Sequence, residues 1–146
     1  MAEDEEVKAF TRNAKEQLID AEISLREKRH HLSFLCSSLS AENATSGLII
    51  ALGGRTSKKH NNWMVLGHLA SEDEEMKPKI LEISRMLHEI EPHIPKLLRY
   101  PFRYDQKWII PTEYYTKEMA EQALEKAKQI LKISQECLEK LGIRNG

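Results

Sequence analysis

The sequence has few of the residues that stabilise secreted or metal-bound domains. Its 146 residues include only two cysteines, Cys36 and Cys137, in what the pattern predicts to be two different helices. Such a pair is unlike the disulfide framework of small secreted domains, and there is no Cys-x-x-Cys or His-Glu-x-x-His motif to bind zinc. We therefore expect reduced thiols, a cytoplasmic location, no metal and no other cofactor.

The sequence also lacks a long apolar run, an excess of charge and a glycine-rich phosphate-binding loop. The longest apolar stretch, residues 47–54, is much too short to span a bilayer, so we expect no membrane association. The formal net charge of −1 gives no overall attraction to a polyanion. Any phosphate or nucleic-acid site must therefore be formed by a local group of cations.

Helical periodicity is present over most of the chain. Apolar residues recur every three or four positions in residues 7–25, 32–52 and 63–69, from between 71 and 78 to about 90, and in 120–141. Gly53-Gly54 is typical of a helix end, and Thr116 is a candidate N-cap for the last helix. No segment alternates with a period of two. The pattern predicts one all-α domain, an up-and-down bundle of four to five helices.

Residues 100–115 differ from the rest, because they contain two prolines, show little periodicity and predict one long irregular connection. Aromatic and cationic residues alternate there: Tyr100, Phe102, Tyr104, Trp108, Tyr114 and Tyr115 with Arg99, Arg103 and Lys107. Rings can stack on a base and cations can hold its phosphates. The same residue types are enriched in protein interfaces, so a protein-interaction module that uses Trp108 is an open alternative.

Three motifs follow one another along the chain. They are Ala41-Glu42-Asn43-Ala44 with the apolar residues 48–52 and Gly53, then Lys59-His60 before Trp63 and Leu66, and then Arg99-Tyr100-Pro101 followed by Pro111, Tyr114, Thr116 and Ala120. In this order and spacing they resemble the HEPN family, the higher eukaryotes and prokaryotes nucleotide-binding domain. The last motif is the most specific of the three.

This resemblance implies a bundle of four or five helices that pairs into a homodimer, with a cleft near the dimer interface. It also implies two kinds of activity. Some members resemble metal-independent ribonucleases or toxins of toxin–antitoxin systems, and others resemble nucleotide-binding modules that work beside a nucleotidyltransferase-type partner. Our leading hypothesis is a non-catalytic homodimer that binds a nucleotide or a nucleotide-related partner, RNA included, through Lys59, His60, Arg99, Tyr100, Arg103 and Tyr104.

The ribonuclease members carry an Arg followed four to six residues later by a His. The His exchanges a proton with the ribose 2′-hydroxyl, and the Arg stabilises the charge that develops on the phosphorus centre. The matching position here is Arg99, and no His follows it, which argues against nuclease activity. Arg26 with His31 and Arg55 with His60 have a similar spacing, although solvated turns explain both. A ribonuclease would use Arg55 and His60, which lie in the better placed, basic loop.

Overall fold

Helices form nearly all of the regular structure in the computed structural model, which describes residues 2–56, 61–70, 72–90 and 100–143. The elements are α1 (Ala2–Arg26), α2 (His30–Ala51), α3 (Asn62–Ala70), α4 (Lys77–Ile90), β1 (Phe102–Tyr104), β2 (Lys107–Ile109), α5 (Pro111–Tyr114) and α6 (Lys117–Lys140). The predicted all-α bundle is confirmed. Within the described ranges, no helix combines the length and the apolar character needed to cross a membrane.

The central helix is α2, whose serines, alanines and glycine allow its neighbours to approach closely. The Ser33 hydroxyl donates to the Ala21 carbonyl at 2.8 Å, and Ser40 donates to that of Ala14 at 2.7 Å. Near the other end of α2, a Cβ added at Gly47 would lie 3.3 Å from the Val7 carbonyl oxygen. Helix α1 therefore runs antiparallel to α2, with the end of α1 beside the start of α2.

The other long helices pack against α2 and enclose the apolar core. The Ser38 hydroxyl donates to the carbonyl of Ile90 at 2.7 Å and so holds the end of α4 against α2. The amide of Asn62, which is 1% exposed, lies 3.0 Å from both the Thr45 and Ser46 hydroxyls. Helix α6 contributes a buried stripe made of Ala120, Ala123, Leu124, Ala127, Ile130, Leu131, Cys137 and Leu138.

Helix ends follow the local sequence. The Thr116 side chain accepts a hydrogen bond from the Met119 N–H at 3.1 Å, which confirms the predicted N-cap of α6. Gly53 has φ +87° directly after α2, where the left-handed conformation closes the helix at little steric cost. Pro78 lies in the first turn of α4, while Ser71, the other candidate for its start, lies outside the described residues.

The connection between residues 100 and 115 is more regular than the sequence predicts. Strands β1 and β2 form an antiparallel hairpin in which Arg103 is paired with Trp108. The two turn residues, Asp105 and Gln106, have φ values of +51° and +65°, as a two-residue type I′ turn requires. Because neither is glycine and each strand has three residues, the sequence pattern contains little sign of this hairpin.

The hairpin and Arg55 lie at opposite ends of α2. Near the start of α2, the Phe34 ring stacks on that of Tyr115, with centroids 4.5 Å apart. Tyr115 directly follows α5, which in turn follows the hairpin. Arg55 follows the C-terminal end of α2. At a rise of 1.5 Å per residue, Phe34 and Ala51, the last residue of α2, are about 25 Å apart along the helix axis.

Candidate nucleotide-binding surface

The hairpin exposes large aromatic side chains to solvent. Tyr104 is 66% exposed and Trp108 is 64% exposed, and Tyr100, just before β1, is 65% exposed. Residues directly opposite each other in an antiparallel pair share a face of the sheet. Arg103 and Trp108 therefore lie on one face, and Tyr104 and its partner Lys107 lie on the other.

A cation–π contact joins the pair on the first face. The Arg103 guanidinium carbon lies 5.8 Å from the centroid of the Trp108 ring. Contacts of this kind at exposed sites are weak, worth about 0.5–1 kcal/mol. Trp108 stays mostly exposed beside this cation, so a ring that can stack on a base and a charge that can attract its phosphate lie together.

Other aromatic residues of the same segment anchor the hairpin. Phe102 and Ile109 form the third cross-strand pair and are half-buried. Tyr115 is buried against Phe34 and also meets Tyr114 edge to face, with centroids 5.2 Å apart. Burial, with a smaller effect of Tyr114, raises the pKa of Tyr115 to about 12. The aromatic set thus divides into buried anchors and exposed rings.

A basic turn between α1 and α2 lies at this same end of the bundle. Arg26, Lys28 and Arg29 are exposed there, with Glu27 as the one acidic residue among them. Burial, and to a lesser extent the charge of Arg29, lowers the pKa of His31. The positive charge of the turn at neutral pH therefore comes from the two arginines and the lysine. We call Arg26, Lys28 and Arg29 the basic turn.

The surroundings of Arg55 are different. Its side chain is exposed and lines an open cleft of about 390 Å³ together with Glu3 and Glu6 of α1 and the Gly53-Gly54 end of α2. Two carboxylates beside one guanidinium make this cleft unfavourable for a polyanion. The expected partner of Arg55 in catalysis, His60, lies outside the described residues.

The structure brings together only some of the residues predicted as a site. Tyr100, Arg103 and Tyr104 lie on or beside the hairpin, whereas Arg55 lies at the far end of α2. Lys59 and Arg99, like His60, lie outside the described residues. Among the described residues, no three His, Cys, Asp or Glu side chains are grouped so as to hold a metal ion.

The sequence does not indicate Lys107 or the basic turn as nucleotide-binding residues, and it indicates Trp108 only for a protein-interaction module. The alternation of rings and cations did include Lys107 and Trp108, but their cross-strand partners follow only from the hairpin register. The cations of the basic turn are visible in the sequence as a polar cluster. Nothing in the sequence shows that this cluster lies at the same end of the bundle as the hairpin.

Comparison with known proteins agrees with this fold. The model of the HEPN domain family matches residues 7–138. A Methanocaldococcus jannaschii protein named "Putative toxin MJ1304" is 29% identical over 141 residues, which cover 94% of this chain and 91% of that protein.

Two crystal structures share the fold at 21% sequence identity each. TT1696 from Thermus thermophilus has a TM-score of 0.64, with 90% of this chain and 98% of that chain covered. ST0689, an archaeal HEPN homologue, has a TM-score of 0.61, with 92% and 97% covered. Since the family model spans most of the sequence, the chain belongs to the HEPN family.

Proposed function

We propose that this protein is a non-catalytic HEPN domain that binds a nucleotide or a nucleotide-containing partner. The binding site is the hairpin surface, which we define as Tyr100, Arg103, Tyr104, Lys107 and Trp108. The observation that carries the proposal is the Trp108 side chain, which is 64% exposed and has the Arg103 guanidinium carbon 5.8 Å from its ring centroid. One ligand could therefore stack a base on the Trp108 ring and hold its phosphate near the Arg103 guanidinium.

Exposed aromatic rings can stack against a ligand that has a flat apolar face. Stacking of a base on an aromatic side chain contributes about 1–3 kcal/mol per base and tolerates any base. Cations beside the ring attract the phosphate, and Arg can also form two parallel hydrogen bonds with it. Scattered exposed apolar residues are ordinary, but this short hairpin exposes a large ring on each of its two faces, Trp108 on one and Tyr104 on the other.

The same residues do not suggest proton-transfer catalysis. A general acid or base works best when its pKa lies near the operating pH, as that of His does. The hairpin surface contains Tyr, Arg, Lys and Trp, and the sequence has no His after His93. The surface is therefore suited to holding a ligand and lacks a His, the side chain best suited to proton transfer near neutral pH.

Titration calorimetry with ATP, GTP and a short single-stranded RNA tests the proposal. We expect heat of binding with the wild type and at least fivefold weaker binding in Trp108→Ala, since one stacking contact is removed. Met64→Ala is the matched control, because Met64 is also large and exposed but lies on α3. Absence of heat at millimolar ligand would end this proposal. Binding of another protein that ignores nucleotide and is lost in Trp108→Ala would favour an interaction module.

The proposal includes a homodimer that works beside a nucleotidyltransferase-type protein, as the family resemblance implies. Support for the dimer comes from α1, where Ile19 and Ile23 are 50% and 46% exposed one turn apart. Two such residues on one face of a helix gain from burial against another surface. Light scattering at tens of micromolar should give the mass of two chains, and a monomeric mass would contradict the dimer.

A second candidate function is a metal-independent ribonuclease built on Arg55 and His60. The observation that favours it is the name of the Methanocaldococcus jannaschii relative, which describes a toxin. Cleavage of RNA in the presence of a chelator that is lost in His60→Ala and kept in His68→Ala would establish this candidate. RNA that stays intact after long incubation with the wild type would rule it out and leave the binding proposal standing.

A further inference from the structure

The hairpin receives little support from the helical bundle. Each strand has three residues, and the two strands are packed mainly on each other, with few contacts to the helices. The residues from Arg103 to Trp108 are all exposed, whereas Phe102 and Ile109 at the base are half-buried. An isolated two-stranded hairpin is at best marginally stable in water. The helices therefore contribute little to keeping this hairpin closed.

Side-chain interactions add little to the stability of the hairpin. A cation–π contact joins Arg103 to Trp108, and such contacts are weak at exposed sites. Within the described ranges, no side chain of residues 102–109 takes part in a hydrogen bond or an ion pair. The closed hairpin is thus held by its backbone ladder, this one contact and the partial burial of Phe102 and Ile109.

The turn of the hairpin is conformationally unfavourable. Asp105 and Gln106 both lie in the left-handed region, with φ values of +51° and +65°. Glycine adopts this region freely and Asn or Asp adopts it occasionally, but other L-residues are disfavoured there. A type I′ turn therefore prefers glycine at its second central position, as in Asp-Gly. Gln106 occupies that position, so the turn opposes closure of the strands that it connects.

The proposed binding site exists only while the hairpin is closed. Arg103 and Trp108 lie on different strands, and they meet at 5.8 Å because the register pairs them. The same register places Tyr104 opposite Lys107 on the other face. Opening of the ladder separates both pairs, and a cation then no longer lies beside a stacking ring. A ligand that uses both groups therefore binds the closed form in preference to the open form.

We propose that the hairpin is a conformational switch, which opens and closes in the free protein and is held closed by the ligand of the hairpin surface. Its short ladder, its exposed residues and its unfavourable turn leave the two forms close in free energy. The apparent affinity of the site is then the affinity of the closed form multiplied by the fraction of closed molecules. This inference rests on the proposed function and adds to it how the site is regulated.

The anchor that follows the hairpin confines this motion to the hairpin itself. Tyr115 is buried and stacks on Phe34 of α2, with centroids 4.5 Å apart. The next residue, Thr116, caps α6 by accepting a hydrogen bond from the Met119 N–H. Opening of the hairpin should therefore leave the helices in place.

Amide hydrogen exchange of the free protein tests the balance between the two forms without any ligand. We expect the amides of β1 and β2 to be protected about tenfold or less, and buried α2 amides such as that of Leu48 about a thousandfold or more. Gln106→Gly should slow exchange in the hairpin about fivefold, because glycine is unstrained at this φ. Gln106→Val should abolish the protection, because a β-branched residue fits the left-handed region poorly.

Lys28→Gly is the matched control for the exchange experiment. Lys28 has φ +63° in the turn between α1 and α2, so glycine relieves the same kind of strain away from the hairpin. This variant should leave exchange in β1 and β2 unchanged. Circular dichroism should also give the same helical content for the wild type and both Gln106 variants, because the helices do not depend on the hairpin.

Titration calorimetry with ATP and with a short single-stranded RNA measures the coupling to binding. Neither Gln106 variant changes a residue of the hairpin surface or the charge of the protein. We expect Gln106→Gly to bind about two- to fivefold more tightly than the wild type, and Gln106→Val to bind about fivefold more weakly, as the closed fraction rises and falls. A saturating amount of either probe that binds should also slow exchange in the hairpin of the wild type.

The possible outcomes separate this inference from the proposed function. Hairpin amides that are protected as strongly as those of α2 in the free wild type overturn the inference. Equal affinity of the wild type and both Gln106 variants for a probe that binds also overturns it, and leaves the proposed function in place. If neither probe binds to any of the three proteins, the proposed function fails, and the coupling of the hairpin to binding fails with it.

Discussion

The two ends of α2 each carry an arginine that sequence analysis selected, yet their surroundings differ in charge and in packing. At the N-terminal end, Arg103 lies beside an exposed tryptophan ring, and the exposed cations of the basic turn precede α2. At the C-terminal end, Arg55 shares its cleft with Glu3 and Glu6. The two arginines thus differ in the charge of their neighbours, and for this reason we propose Arg103, and not Arg55, for phosphate binding.

The two ends of α2 also differ in how their residues are packed. Close contacts around Gly54 fix the C-terminal end, where an added Cβ would lie 2.9 Å from Leu69 Cδ1. The N-terminal end is held by buried rings, Phe34 and Tyr115, beyond which the hairpin projects into solvent. The C-terminal end thus combines tight packing at Gly54 with a cleft that Glu3 and Glu6 line, and the N-terminal end presents exposed rings and cations.

The largest expected effect is on nucleic-acid affinity at the N-terminal end. Tyr104→Ala/Trp108→Ala removes both rings, and we expect RNA binding to weaken about 30-fold or more, since each lost stacking contact contributes about 1–3 kcal/mol. In contrast, Arg55→Ala at the other end should change the affinity less than twofold. Anisotropy titrations with one labelled RNA measure both variants.

The hairpin must remain folded for this result to be interpreted. Circular dichroism should show the same helical content and thermal midpoint for the double variant and the wild type, because both rings are mostly exposed. If Arg55→Ala weakens binding as much as the double variant does, the comparison between the two ends is wrong. The cleft at the C-terminal end would then be part of the RNA site.

The next effect concerns stability at the C-terminal end. We expect Gly54→Ala to lower the free energy of unfolding by about 1–3 kcal/mol, as overpacking of a tight site does. The new methyl group would meet the buried Ile49 Cγ2 at 3.0 Å as well as Leu69. Urea unfolding measures the loss, and RNA affinity should stay unchanged because the hairpin is at the other end.

Gly67→Ala is the matched control for this prediction. Gly67 lies within α3, and nothing lies within 4 Å of a Cβ added there. The substitution should raise the free energy of unfolding by up to about 1 kcal/mol, since alanine is the better helix former. A Gly54→Ala protein as stable as the wild type would show that the C-terminal end is less tightly packed than the distances indicate.

A smaller effect should appear at high pH, at the anchor of the N-terminal end. The folded-state pKa of Tyr115, about 12, lies above the ordinary value of 10.0 because burial disfavours the phenolate. The folded state therefore holds this proton more tightly than the unfolded state between these values. The stability that this difference in pKa contributes is fully present below about pH 10 and is lost as the pH rises through about 12.

Urea unfolding between pH 9 and pH 12 tests the direction of this pH dependence and its assignment to Tyr115. The wild type should lose about 1–2 kcal/mol of unfolding free energy over this range through Tyr115, given about 1.4 kcal/mol per pKa unit and partial solvent access. Tyr115→Phe keeps the ring that stacks on Phe34 and should remove this part of the loss. An equally steep loss in Tyr115→Phe would assign the alkaline sensitivity to other groups.

The helical part of this structure could be predicted from the sequence because its determinants are local. Apolar spacing indicated the helices, Thr116 indicated the start of α6, and Gly53 indicated the end of α2. The hairpin was missed because Asp105-Gln106 lacks the glycine that usually marks a type I′ turn. Its strands are also too short to show an alternating pattern.

The candidate site was only partly predictable, since it depends on which end of the bundle each segment reaches. The sequence indicated a ring-and-cation segment and a basic loop that contains Arg55, and the hypothesis combined them in one site. At a rise of 1.5 Å per residue, about 25 Å along the helix axis separates Phe34, which stacks on Tyr115, from the end of α2 that precedes Arg55. Tertiary packing decides this separation, and helical periodicity contains no information about it.

The smallest predicted effect tests whether phosphates lie at the tip of the hairpin. Asp105 is the carboxylate of the hairpin turn and is exposed at the tip, next to the Tyr104–Lys107 pair. Asp105→Asn removes its charge, and asparagine readily adopts the left-handed conformation found at this position, φ +51°. We expect RNA to bind about two- to threefold more tightly at low salt, because repulsion between the carboxylate and the phosphates is removed.

Salt dependence and a distant control distinguish this electrostatic effect from a change in structure. The gain in Asp105→Asn should disappear at high salt, where exposed charges are screened beyond about 3 Å at 1 M. Glu139→Gln removes the same charge near the C-terminal end of α6 and should leave the affinity unchanged. Unchanged affinity in Asp105→Asn at low salt would mean that the phosphates lie away from the turn.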